Sequence, residues 1–230
     1  MNTRKLFFLF VSLLIFGCTT VDVRPKEEYL TDFEYFPLEI GHFVEYTVNQ
    51  TDYAESDSVV NEFQLKVVIV DSMLVNDRTV YIINKFKRST VNDNWEIELV
   101  LSALIQDDNL LIQENNFIYN RLVFPFKENR IWDGNAFNNL NEDRYEMENV
   151  KGSLEFNNQI YPETITVIQN DNEDVIVKTD IRKEVYAKNI GLLYSESEII
   201  DYCTENDCLG QQKINTGIKF KQTILNYGKE

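Results

Sequence analysis

Apolar and polar residues take turns along nearly the whole chain from position 43 onward. Val44, Tyr46 and Val48 fall on one face, with Glu45 and Thr47 on the other. Phe63, Leu65, Val67 and Ile69 alternate with Glu62, Gln64 and Lys66. Val80, Ile82 and Phe86 make a third set, and Trp95, Ile97, Leu99 and Leu101 a fourth, with Glu96 and Glu98 facing outward. Near the end, Ile218, Phe220 and Ile224 oppose Lys219, Lys221 and Thr223. A period of two places one face of a strand in a core and the other in water, whereas a helix repeats every three or four residues. Further segments with strand character cover 110–113, 117–124, 144–150, 163–169, 175–182 and 192–200. With four Ala against 15 Phe and 12 Tyr, composition also disfavours helices and favours strands.

The connections are short and rich in Asn and Asp: Val75-Asn76-Asp77, Asn92-Asp93-Asn94, Asp107-Asp108-Asn109, Asn157-Asn158 and residues 170–173. Asn and Asp tolerate left-handed backbone and hydrogen-bond their own chain, so they make tight turns without Gly. No segment has the helical period needed to cross between parallel strands. The expected fold is therefore all-β: a curved antiparallel sheet or partly open β-barrel of about ten strands, with a sandwich as the second choice. Residues 127–143 break the alternation. With Trp132-Asp133-Gly134-Asn135 at their centre, they read as a structured loop across one end of the sheet.

A different pattern precedes this body. Arg4 and Lys5 lead into residues 6–16, apolar except for Ser12, and the stretch ends in Ile15-Phe16-Gly17-Cys18. Eleven residues are too few to span a bilayer, which takes about 20, and suit the apolar region of a secretory signal. The last four residues resemble a bacterial lipobox, although Phe16 is bulkier than usual there. The resemblance implies cleavage before Cys18, which then carries diacylglycerol. The expected organisation is a signal peptide over 1–17, a lipidated Cys18 and polar tether over 18–35, and one β domain over 36–230. Acyl chains bury about 0.8 kcal/mol per CH₂, so more than one chain anchors stably. Thr19 stands where Asp favours inner-membrane retention in enterobacterial lipoproteins, so the outer membrane is the expected location.

Charge narrows the partners. The chain carries 22 Lys and Arg against 38 Asp and Glu, a formal charge of −16. Without Arg4 and Lys5 the balance is 20 against 38, or −18. Nucleic acid, which needs a basic face, is not an expected partner. Anionic lipid would repel such a domain, so the membrane is expected to hold it through Cys18 alone.

Few residues are candidates for chemistry. Cys203 and Cys208, four residues apart in an exported chain, are expected to form a disulfide beside the last strand. They lack the C-x-x-C spacing of a redox site and the nearby His or Cys of a metal site. His42 is the only His, and no nucleophile or carboxylate is placed beside it by spacing. Glu96 with Glu98 and Glu146 with Glu148 each share a strand face, which solvated outer surfaces explain. Asp171-Asn172-Glu173-Asp174 and Asn141-Glu142-Asp143 are rich in oxygen but lack the ligand spacing of a calcium loop. No metal, cofactor or catalytic residue is expected.

Four segments, Phe36-Pro37-Leu38-Glu39-Ile40-Gly41, Leu122-Val123-Phe124-Pro125, Trp132-Asp133-Gly134-Asn135-Ala136-Phe137-Asn138 and Glu184-Val185-Tyr186-Ala187-Lys188-Asn189-Ile190-Gly191-Leu192, resemble uncharacterised β-rich outer-membrane lipoproteins of Bacteroidetes-type bacteria. The resemblance implies the anchor and the β domain, and no activity. Asp57-Ser58-Val59 and Asp71-Ser72-Met73 also resemble O-glycosylation acceptors of that group. The functional expectation is a non-catalytic structural or interaction domain on a lipid anchor. Its alternative is a carrier of a small apolar ligand or lipid inside a half-barrel. An apolar cavity open to solvent separates the second from the first.

Overall fold

The structure is a computed structural model described for residues 30–55, 57–156 and 158–230. The signal segment 1–17, Cys18 and the first part of the tether lie outside the described residues. A 3-10 helix, Leu30–Tyr35, precedes twelve strands: β1 (His42–Ala54), β2 (Asp57–Val75), β3 (Arg78–Arg88), β4 (Glu96–Gln106), β5 (Asn109–Glu114), β6 (Phe117–Val123), β7 (Arg130–Asp133), β8 (Arg144–Phe156), β9 (Gln159–Asp174), β10 (Lys178–Ala187), β11 (Gly191–Tyr202) and β12 (Ile214–Lys229). Among the described residues, no helix is long and apolar enough to cross a membrane.

All twelve strands form one antiparallel sheet, ordered β6-β5-β4-β3-β2-β1-β12-β11-β10-β9-β8-β7. Each strand pairs with its sequence neighbour except at β6 and β7, and β1 pairs with β12 from His42 opposite Lys229 to Ala54 opposite Thr216. The sheet thus curls into a nearly closed barrel whose single break lies between β6 and β7. Loop groups serve the free edge of β6 there. The Asn120 amide donates to the Gly134 carbonyl (2.9 Å), Trp132 Nε1 to the Asn120 carbonyl (2.9 Å) and Asn138 Nδ2 to the Ile118 carbonyl (3.0 Å). An open strand edge is otherwise a template for aggregation.

The all-β expectation holds, and the differences are local. Twelve strands replace about ten because 127–143 is not wholly a loop: Arg130–Asp133 pairs with β8, Trp132 opposite Tyr145. Four residues are too few for alternation to announce a strand. The turn anticipated at 170–173 lies instead at 175–177. Asp171, Asn172, Glu173 and Asp174 are all exposed in β9, so burial imposes no alternation along them. Asp174 Oδ1 accepts from the Ile176 amide (3.0 Å), capping the turn from just outside it. Elsewhere the turn chemistry reads as expected. Asn76-Asp77 and Asp107-Asp108 all take positive φ, the conformation that suits the twist of a two-residue hairpin.

Residues 30–35, read as the end of a tether, are folded onto the domain. Phe33 meets Phe124 edge-on (4.6 Å between ring centroids) and Tyr35 meets Phe126 likewise (5.0 Å). The buried Asp32 accepts the Phe126 amide at Oδ2 (2.9 Å). Gly41 then turns the chain into β1. Its φ is +86°, and a Cβ there would strike the Glu230 carbonyl oxygen, so the crossing of the two ends of the domain requires glycine.

Candidate functional site

The inward-facing residues do not fill the barrel. One hydrophobic cluster gathers around Leu122, Phe124, Trp132 and Met147 near the break. A second joins Tyr46 and Val48 to Leu193 and Ile224, and a small third holds Ile69, Ile83 and Ala103. Between them lies a cavity of about 250 Å³, partly open to solvent. Drug-sized ligand sites occupy roughly 300–1,000 Å³, so this one suits a smaller molecule.

The two sides of the lumen differ in chemistry. Val44 of β1, Val67 and Ile69 of β2, Ile83 of β3, Leu101 of β4 and Ile112 of β5 supply an apolar wall. Facing it, β6 and β10 to β12 supply Arg121, Glu184, Ser195 and Gln222. Three of these form a row across adjacent strands, since Glu184 is opposite Ser195 and Ser195 opposite Gln222. Phe36, Pro37, Ile190 and Gly191 also line the cavity, so the segment before β1 and the β10–β11 turn share its boundary.

Arg121 reaches this wall through a β-bulge. Leu110 is opposite Leu122 and Leu111 opposite Asn120, which leaves Arg121 as the extra residue without a partner in the ladder. Bulges re-aim side chains in this way. Its Nη1 donates to Glu184 Oε1 (3.3 Å), and Nη2 lies 3.7 Å from Glu114. The Tyr186 hydroxyl donates to the other Glu184 oxygen (2.6 Å). Burial alone would lower the Arg121 pKa. Glu184 leads the neighbours that more than offset it, so the value lies above the ordinary one and the guanidinium stays charged. Burial first, then Glu184, raises the hydroxyl pKa of both Tyr46 and Tyr186. Both remain protonated donors, and the Tyr46 hydroxyl donates a hydrogen bond to the Leu192 carbonyl (3.0 Å).

His42 opens β1 as expected and lines the cavity, where its Nε2 bonds the Ile190 carbonyl (2.9 Å). Ser195 also lines the cavity, and no hydrogen bond joins it to His42 among the described residues. The other candidates lie elsewhere. Glu98 of β4 pairs with Lys85 (3.2 Å) and Lys87 (3.7 Å). Asp143 holds Arg182 through both carboxylate oxygens (2.8 and 2.9 Å). No group of three or more His, Cys, Asp or Glu suited to a metal occurs among the described residues. Cys203 and Cys208 are joined in a disulfide (Cα–Cα 5.8 Å) in the loop between β11 and β12. Ser58 and Ser72 both fall within β2, Ser58 exposed and Ser72 half-buried.

No family model matches the chain, and no curated protein is similar to it. Among solved structures, one from Bacteroides fragilis, provisionally described as an exported protein with a YmcC-like fold, is similar over 84% of this chain and 98% of its own. The identity is 11% and the TM-score 0.47. A second, from Parabacteroides distasonis and provisionally described as a lipoprotein, is similar over the same shares at 10% identity and TM-score 0.43.

Proposed function

We propose that this chain is a lipid-anchored envelope protein that binds a small, largely apolar molecule in its barrel lumen, without catalysis. The observation that carries the reading is the cavity itself. A structural module would fill its interior, and this one leaves about 250 Å³ beside an apolar wall. Two features support binding over chemistry. Arg121 ties up both lumen carboxylates, Glu184 and Glu114, and His42 is spent on a backbone carbonyl. At about 30 Å³ for each water-sized group, the lumen admits roughly eight heavy atoms. The anchor at Cys18 rests on the signal-like segment and the lipobox resemblance, and an outer-membrane location rests on Thr19.

Ethylbenzene is a probe of the right size. Calorimetric titration of the mature domain is expected to show saturable 1:1 binding. Leu101→Trp puts a larger side chain into the lumen from a half-buried position and is expected to abolish that binding while the melting transition stays cooperative. Overpacking of this kind costs about 1–3 kcal/mol. Absence of ethylbenzene binding to the unaltered domain would overturn the reading in favour of an interaction module.

A further inference from the structure

The row of polar side chains in the lumen is only half used. Glu184 is occupied by Arg121 and Tyr186. Beside it stand Ser195 and Gln222, on the next two strands. Among the described residues, neither side chain has a hydrogen-bond partner, although Gln222 is 7% exposed and lies in the wall of the cavity. Neither side chain is among the wholly buried polar atoms that lack a partner. Both line the open cavity, where a ligand group can take the place of water as their partner. On the apolar-facing register of β12 an aliphatic residue would serve packing better. Val48, opposite Gln222 on β1, shows what the neighbouring strand places there.

The charges nearby decide what can pair with them. Four charged side chains line the lumen, and each already has a partner: Arg121 lies against Glu184 and Glu114, and Lys85 against Glu98, which does not line it (3.2 Å). None is left to neutralise an entering ion. A carboxylate or phosphate entering this space meets two acidic groups, and an ammonium meets two basic ones. Each ion would also lose its hydration. An uncharged group that both donates and accepts loses much less and matches the amide of Gln222 and the hydroxyl of Ser195, each of which donates and accepts too.

We infer that the lumen selects a neutral amphipathic ligand, with an amide- or hydroxyl-type group held by Ser195 and Gln222 and an apolar body against the β1–β5 wall. The inference rests on the proposed binding function and adds the chemistry of the polar end. It excludes fatty-acid anions as the preferred ligand class.

A six-carbon series tests it: hexanamide, 1-hexanol, hexanoate and hexylammonium, titrated calorimetrically at neutral pH into the mature domain, with ethylbenzene alongside. Hexanamide and hexanol are expected to bind at least tenfold more tightly than either ion. Gln222→Leu is expected to lower hexanamide affinity about tenfold while ethylbenzene still saturates the lumen, and Gln222→Glu to turn the preference toward hexylammonium. Hexanoate or hexylammonium binding as tightly as hexanamide, or an unchanged hexanamide affinity in Gln222→Leu, would overturn the inference and leave the binding function standing if ethylbenzene binds. Failure of ethylbenzene to bind would overturn both.

Discussion

Arg121 is the residue on which the lumen depends most. Removing its charge alone leaves Glu184 and Glu114 on the lumen wall without the guanidinium that each now faces. Breaking a fully buried pair from one side costs about 3–5 kcal/mol, and these side chains, 11–30% exposed, lose less. Arg121→Met is therefore expected to lose about 2 kcal/mol in urea unfolding, and Arg121→Met with Glu184→Gln to lose distinctly less. Equal losses would mean the pair is not coupled. The sequence shows some of this wall and hides the rest. Ile218, Phe220 and Ile224 share a face, and the position between the last two on that face is Gln222, a polar residue in an apolar register. That was a legible sign of an interior polar group. Arg121 was not legible, because a strict period of two cannot locate a bulge, and it is the bulge at β6 that turns this side chain inward. Glu184 stands out by no local spacing, since its partner lies 63 residues away.

At the scale of elements, short hairpins and strong alternation made the strands readable, and weak alternation marks where the reading failed. β7 is four residues long, and the β9–β10 hairpin has polar residues on both faces at its tip. Residues 30–35 look like tether because they continue the polar, acidic stretch that begins at Val21, yet Asp32 is wholly buried. Only the fold reveals the Phe126 amide that it serves. The β11–β12 loop is the element whose behaviour is easiest to test. It is pinned by Cys203 and Cys208 and by the Cys203 amide donating to the Lys213 carbonyl (2.8 Å). The closed loop is short, so the bridge restricts the unfolded chain only modestly. Replacing both cysteines with Ser is expected to cost about 1–3 kcal/mol with strand content unchanged by circular dichroism. A loss of the sheet signal would contradict a local role for the bridge.

For the whole molecule, the pairing of β1 with β12 closes the sheet opposite its break, and the Glu230 amide donates to the Gly41 carbonyl (3.0 Å). The segment before β1 passes Phe36 and Pro37 at the edge of the lumen and reaches the cluster near the break, where Phe33 and Tyr35 pack on Phe124 and Phe126. The chain after residue 17, at −18, has no electrostatic reason to rest on anionic lipid, so in the proposed arrangement Cys18 alone accounts for membrane association. Cys18→Ser is expected to leave a folded protein that fractionates with the soluble envelope contents after signal cleavage. Retention in detergent-extractable membrane would contradict the anchor. Whether the lumen is a binding site is read out by diffraction from crystals soaked in bromobenzene, whose bromine scatters anomalously. A bromine peak is expected inside the barrel, between Ile83 and Leu101 on one wall and Gln222 on the other. Bromine found only on the outer surface, with the lumen closed to it, would show that the lumen binds no such ligand.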